Sequence, residues 1–145
     1  MSYDRKAPPI LLVEDNPADL ELTLLAFRKR SLVNPVLVAR DGEEALAFVP
    51  RWEAGEPIPL LILLDLKLPK VNGHEVLRAF RSHPLVHAVP IVVLTSSSEE
   101  RDVALAYELG VTSYLVKPVD FDRFTQMTAM IESYWCEANV PPPRS

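Results

Sequence analysis

Short apolar runs recur along the chain at Ile10 to Val13, Val36 to Ala39, Leu60 to Leu64, Ile91 to Leu94 and Tyr114 to Val116. They are continuous rather than alternating, which is the pattern of strands covered on both faces, as in a parallel sheet. Between them the apolar spacing turns helical. After the N-cap and N1 pair Asn16 and Pro17, Leu20, Leu24 and Phe27 repeat at i, i+4, i+7. Asp41 and Glu44 read as a capping box ahead of Ala45, Phe48 and Val49. Asn72 with Glu75 starts a third helix bearing Val76, Leu77 and Phe80, which Pro84 ends. Ser97 with Glu100 starts a fourth, bearing Val103, Ala106 and Tyr107 and stopping at Gly110. Asp120 caps a fifth with Phe124, Met127, Ile131 and Tyr134.

Strand and helix therefore alternate five times, and the physical solution is an α/β fold: a (βα)5 doubly wound, five-stranded parallel sheet with helices on both faces. At 145 residues one domain is expected, over 9–138, between a loose N-terminal segment 1–8 and a Pro-rich tail 139–145. The segment 50–59 is longer than a usual αβ connection and reads as a surface loop or an extension of the second helix.

Composition narrows the function. Fifteen basic residues, scattered, against twenty acidic ones give a net charge of −5, so the electrostatic footprint of a nucleic-acid binder is missing. The lone Cys136 cannot form an intramolecular disulfide and has no metal-ligand spacing around it, which favours an inert thiol in a reducing compartment. No membrane span or signal peptide is legible, and a cytoplasmic protein is expected.

In open parallel sheets ligands bind beyond the carboxyl ends of the strands. The first run is followed by Glu14-Asp15, the third by Asp65, the fourth by Thr95-Ser96 and the fifth by Lys117-Pro118. Singly, each reads as a cap, a solvated charge or a strand-end hydroxyl. Jointly they place three carboxylates, hydroxyls and an ammonium on one edge. Three packed carboxylates need a cation, and an all-oxygen set suits Mg²⁺. Asp65, alone after Leu60-Leu-Ile-Leu-Leu64, is the best nucleophile, and attack on a phosphoryl donor gives an aspartyl phosphate. Lys117 and the hydroxyls of Thr95 and Ser96 are placed to stabilise the transferring oxygens.

The motifs Leu11-Leu-Val-Glu-Asp-Asn16, Leu63-Leu-Asp-Leu-Lys-Leu-Pro69 with Asn72-Gly73, Val93-Leu-Thr-Ser96 and Tyr114-Leu-Val-Lys-Pro118 resemble the receiver domain of two-component response regulators. The resemblance implies a CheY-like sheet order of 2-1-3-4-5 and phosphorylation of Asp65 by a histidine kinase. It also implies Mg²⁺ held by Glu14, Asp15, Asp65 and the Lys67 main-chain carbonyl, and a cis bond before Pro118. It further implies a switch in which the Thr95 hydroxyl turns toward the phosphoryl group as Tyr114 moves inward, biasing a surface of fourth helix, fifth strand and fifth helix. Lys67 and Ser97 occupy positions that in this family tune the lifetime of the phosphoryl group. Within the family, Val13-Glu-Asp-Asn-Pro-Ala-Asp19, Leu94-Thr-Ser-Ser97 and Tyr134-Trp135 look most like the single-domain regulators paired with bacterial phytochrome kinases.

Little chain follows Trp135, so output is expected to travel by protein contact, with the kinase, a downstream protein and a second copy as partners. Tyr134 and Trp135 are expected to form an aromatic dimerisation patch, although one of the pair can equally face the core. Rival readings are weaker. A phosphatase of the haloacid-dehalogenase kind needs an acid two residues after the nucleophile, where Lys67 stands. A degenerate receiver would have lost one of the site residues. A flavodoxin-like cofactor binder would not carry the acidic first loop, Glu14 to Asp19, against a phosphate.

Overall fold

The computed structural model describes residues 7–143, so all but the last two residues of the expected N-terminal segment 1–8, and the end of the tail, lie outside the described residues. Five parallel strands, β1 (Ile10–Val13), β2 (Val36–Ala39), β3 (Leu61–Leu64), β4 (Ile91–Thr95) and β5 (Ser113–Val116), form one sheet in the order β2-β1-β3-β4-β5. The apolar runs thus mark the strands to within a residue or two, and the 2-1-3-4-5 order implied by the family resemblance is the one observed.

The helices are α1 (Pro17–Lys29), α2 (Gly42–Leu46), α3 (Phe48–Glu53), α4 (Gly73–Ser82), α5 (Glu100–Glu108) and α6 (Phe121–Glu132), the last running into a π-helical end at Ser133–Ala138. Local cap chemistry sets most of their starts. Asn16, Asp41, Asn72 and Asp120 each accept a backbone N–H from the first turn of the helix that follows. Gly110, at φ +97°, takes the left-handed position beyond α5 that a side chain resists.

Two sequence expectations are corrected here. The second helix is two helices broken at Ala47, because Pro50 has no N–H for the Leu46 carbonyl and its ring crowds that turn. The stretch after it extends helically to Glu53 before turning. The fourth helix starts at Glu100 with Glu99 as N-cap, not at Ser97. Ser97 instead spends its hydroxyl on the side chain of Asp102 (2.5 Å), inside the helix it was expected to cap.

Side chains on successive strand residues point to opposite faces, which splits the core in two. Leu11, Val13, Ile62, Leu64, Ile91 and Val93 pack with Phe48, Trp52, Leu77, Phe80 and Ala106 on the α2 to α5 side. Ile10, Leu12, Leu61, Leu63, Val92 and Leu94 pack with Leu20, Phe27, Phe124 and Ile131 on the α1 and α6 side. Each fully buried aliphatic side chain is worth roughly 1.5–3 kcal/mol, so these two layers hold the central strands, and whatever their carboxyl ends carry, in fixed positions. No helix among the described residues is long and apolar enough to cross a membrane.

Candidate functional site

The strand order reverses beside β1, and the residues beyond β1, β3 and β5 meet there. Their backbones continue the strand ladder. Glu14 N–H donates to the Ala39 carbonyl (3.0 Å), Asp65 N–H to Val13 (3.0 Å) and Lys117 N–H to Thr95 (2.7 Å). The site is therefore built on sheet rather than on loop, which fixes its geometry.

At the centre lies the Lys117 ammonium, 2.8 Å from Glu14 Oε1, 2.8 Å from Asp19 Oδ2 and 2.9 Å from Asp65 Oδ2. Its three donors are all used, each on a different carboxylate. Two of the remaining oxygens are held as well. Glu14 Oε2 accepts from Asn16 N–H (3.1 Å) and Asp65 Oδ1 from Lys67 N–H (3.1 Å). Glu14, Asp65 and Thr95 are buried, while Asp15 stands exposed at the rim.

Four carboxylates face one ammonium, and the electrostatics carry the mark of that imbalance. Burial, with the charge of Asp65 behind it, pushes Glu14 up to about 7 against the pull of Lys117. Burial works against the Lys117 charge, but its hydrogen bonds to Asp19 and Glu14 and the charge of Asp65 outweigh it, so the lysine is held above its ordinary value. One oxygen each from Glu14, Asp15 and Asp65 lie within 4.8 Å of one another, the all-oxygen set that a hard divalent cation takes. A second feature also asks for a ligand. Thr95 Oγ1, at the end of β4, is the one buried side-chain polar atom without a hydrogen-bond partner among the described residues. An unpaired buried hydroxyl costs about 1–3 kcal/mol and needs a reason.

The structure thus brings together Glu14, Asp15, Asp65 and Lys117, with Thr95 at the neighbouring strand end. Tyr114 sits on β5 with its hydroxyl donating to the Ser97 carbonyl (2.8 Å); burial pushes its pKa up, and the charges of Asp102, Asp65 and Glu99 add to that. Ser96 is exposed, and Ser97 is buried and bonded to Asp102. The Lys67 side chain is exposed at the mouth.

The expectation of a cis bond before Pro118 is corrected: no peptide bond among the described residues is cis. Trans is the form X–Pro favours, by about 0.5–1 kcal/mol. Sequence reasoning missed Asp19. It lies in the first turn of α1, past the Asn16 cap, and so was not among the residues that directly follow an apolar run.

A family model for the response regulator receiver domain matches residues 10–129. The chain belongs to that family. As a receiver it is a response regulator, in a family whose members accept phosphoryl groups and which works in signalling rather than metabolism. It is 41% identical to response regulator Rcp1 of Synechocystis, covering 96% of this chain and 97% of Rcp1. The Mn²⁺-bound form of Rcp1 superposes with a TM-score of 0.87 at 39% identity, over 94% of this receiver and 99% of that chain. The phosphorylated cyanobacterial phytochrome response regulator RcpA gives 0.88 at 37% identity, over 94% and 99%. The bacteriophytochrome response regulator RtBRR gives 0.72 at 51% identity, over 94% and 85%. The receiver therefore sits among phytochrome-linked regulators, and its acidic cluster matches the divalent-metal binding of the family.

Proposed function

We propose that this receiver takes a phosphoryl group from a histidine kinase onto Asp65, with Mg²⁺ bound by Glu14, Asp15, Asp65 and the Lys67 main-chain carbonyl. The observation that carries the reading is the Lys117 ammonium bonded at once to Glu14 and Asp65, beside a buried Thr95 hydroxyl with no partner. An Asp65 carboxylate oxygen forms the new bond to phosphorus. The P–N bond of the kinase phosphohistidine breaks, and its electron pair returns to the imidazole. No general base is required, because the attacking carboxylate is ionised. The metal supplies charge neutralisation for the phosphoryl oxygens. Lys117, freed in part from its carboxylates, neutralises one phosphoryl oxygen, and Thr95 Oγ1 gains the hydrogen-bond partner it lacks, with Ser96 at the rim of the same edge.

Reorientation of Thr95 opens room for Tyr114, which leaves the Ser97 carbonyl and moves inward, changing the α5, β5 and α6 surface. Lys67 at the mouth and Ser97 at the entry to α5 set how long the acyl phosphate survives before water removes it. The kinase class favoured by the relatives is a phytochrome, the compartment is the cytoplasm, and output passes to a downstream protein or a second copy of the chain. For such a dimer Tyr134, 51% exposed, is the outer member of the aromatic pair, while Trp135 packs half-buried against the core and meets Tyr134 edge-on at 4.8 Å.

Intact-protein mass after incubation with acetyl phosphate tests the chemistry. A phosphoryl adduct that requires Mg²⁺ and is missing from Asp65→Asn is expected; an adduct that persists in Asp65→Asn would place the acceptor elsewhere. Sedimentation of the phosphorylated protein, with and without Tyr134→Ala, tests the dimer.

A further inference from the structure

The loop between β3 and α4 carries the Lys67 carbonyl, and its shape is set by an element outside the site, the first turn of α2. Gly42 opens that turn. A Cβ added to Gly42 would stand 1.7 Å from the Val71 carbonyl oxygen and 2.7 Å from Val71 Cβ, so the loop backbone lies where any side chain would have to be. The same glycine donates its N–H to the Pro69 carbonyl (3.3 Å), and Val71 N–H donates to that carbonyl as well (2.8 Å). Lys70, bent into the left-handed region at φ 70°, reaches back to Asp41 (3.4 Å) and Glu43 (3.6 Å) on the same turn. At its far end the loop is pinned again, since a Cβ on Gly73 would stand 2.5 Å from the Asp65 carbonyl oxygen and 2.4 Å from Leu66 Cα.

We infer that Gly42 is a positioning residue for the metal: by admitting the Val71 backbone to van der Waals contact it fixes the course of the loop whose Lys67 N–H bonds Asp65 Oδ1 (3.1 Å) and whose Lys67 carbonyl the metal reading takes as a ligand. A loop running from Asp65 to Gly73 with one left-handed, non-glycine residue is strained, and strain of this kind persists only where the surroundings over-determine the backbone. Gly42, Asp41 and Glu43 supply that determination from one side and Gly73 from the other. Displacing Val71 by the ångström or more that a methyl group demands moves the peptide units before it, and Lys67 is four residues away. Asp65 itself is spared, because its own backbone is bonded into the sheet through Val13.

The inference rests on the reading of the carboxylate cluster as a metal site. The direct test is titration of the apo receiver with Mn²⁺, followed by electron paramagnetic resonance, for the native chain, Gly42→Ala, Lys70→Ala and Ile131→Ala. The last removes a core side chain on the opposite face and reports what mere loss of stability does. Gly42→Ala is expected to weaken Mn²⁺ binding about tenfold, the usual effect of disturbing the groups that orient a metal ligand. Lys70→Ala, which leaves the glycine contact in place, should weaken it about threefold, in line with a partly exposed ion pair. Ile131→Ala should not change it. Phosphorylation of Gly42→Ala by acetyl phosphate should return to the native rate once Mg²⁺ is raised to saturation, a split between binding and chemistry that a general loss of structure would not produce.

A native chain that binds no Mn²⁺ overturns the metal reading and this inference with it. Native binding with unchanged affinity in folded Gly42→Ala overturns the inference alone. Should Gly42→Ala fail to fold, unchanged affinity in Lys70→Ala, which frees the loop from the same turn of α2, overturns the anchoring on which the inference depends.

Discussion

The receiver seats two partly buried cations at opposite ends of its sheet, and they are held in opposite ways. At the carboxyl end Lys117 touches three carboxylates. At the amino end Arg81 of α4 touches none among the described residues. Its guanidinium donates to the carbonyls of Gly110 (2.7 Å), His87 (3.1 Å) and Val89 (2.7 Å) and to Thr112 Oγ1 (3.1 Å). The pKa directions follow: Lys117 is held above its ordinary value by the acids around it, and Arg81 is drawn below its own by burial alone. A cation satisfied by neutral carbonyls is a staple that joins α4 to the loops before β4 and β5. A cation outnumbered by carboxylates leaves negative charge over, and that surplus is what a metal ion and then a phosphoryl group can use.

The sharpest way to break this contrast is to remove each cation. Lys117→Ala leaves buried carboxylates uncompensated and should cost the metal-free protein about 3 kcal/mol at neutral pH, much of it recovered by Mg²⁺. Arg81→Ala should cost about 2 kcal/mol through orphaned carbonyls, with no recovery by Mg²⁺. Urea unfolding with and without the ion distinguishes the two, and equal rescue of both would erase the distinction.

Glu14 gives a pH version of the same difference. With its folded pKa raised to about 7 from an ordinary 4.5, the fold keeps a proton that the unfolded chain has released. This group's contribution to stability is full below pH 4.5 and is lost as pH climbs to 7. Metal binding must expel that proton, so apparent Mg²⁺ affinity should rise with pH by up to about tenfold per unit below pH 7 and level off above it. Calorimetric titration across pH 5–8 would show the slope, and Arg81→Ala should share it.

The smallest effects have opposite signs. Thr95→Val removes a hydroxyl that has no partner and should stabilise the unphosphorylated receiver by about 1 kcal/mol while slowing or weakening its response to phosphorylation. Thr112→Val removes a hydroxyl that accepts from both Arg81 and the Ile91 N–H, and should destabilise by about 1 kcal/mol with the response intact. Thermal unfolding of the two variants side by side is enough to check the signs. If Thr95→Val were the destabilising one, the orphaned hydroxyl would have a partner after all.

Cysteine chemistry adds nothing to either end. Burial, aided by the charges of Glu132 and Glu137, pushes Cys136 up to about 12, which leaves an inert thiol, as the isolated cysteine suggested.

Everything legible along the chain is local or periodic. Five apolar runs specified five strands, of which β1, β3 and β4 are fully buried and the edge strands β2 and β5 only partly, four caps specified helix starts because a cap bonds only the next turn, and reading the residue after each run placed Glu14, Asp15, Asp65, Thr95 and Lys117 at one edge. The same local logic failed where a distant partner competed. Ser97 was a sound N-cap until Asp102 took its hydroxyl and its carbonyl took the Tyr114 hydroxyl. The folded sheet alone brings Lys117 to Asp19, 98 residues away. It alone decided that Trp135 turns inward while Tyr134 faces out, that Arg81 is a staple, and that the Val71 backbone fills the space a side chain on Gly42 would need. The reason is common to all four: each depends on how close two segments come after the sheet has folded, and no pattern along the chain encodes that distance.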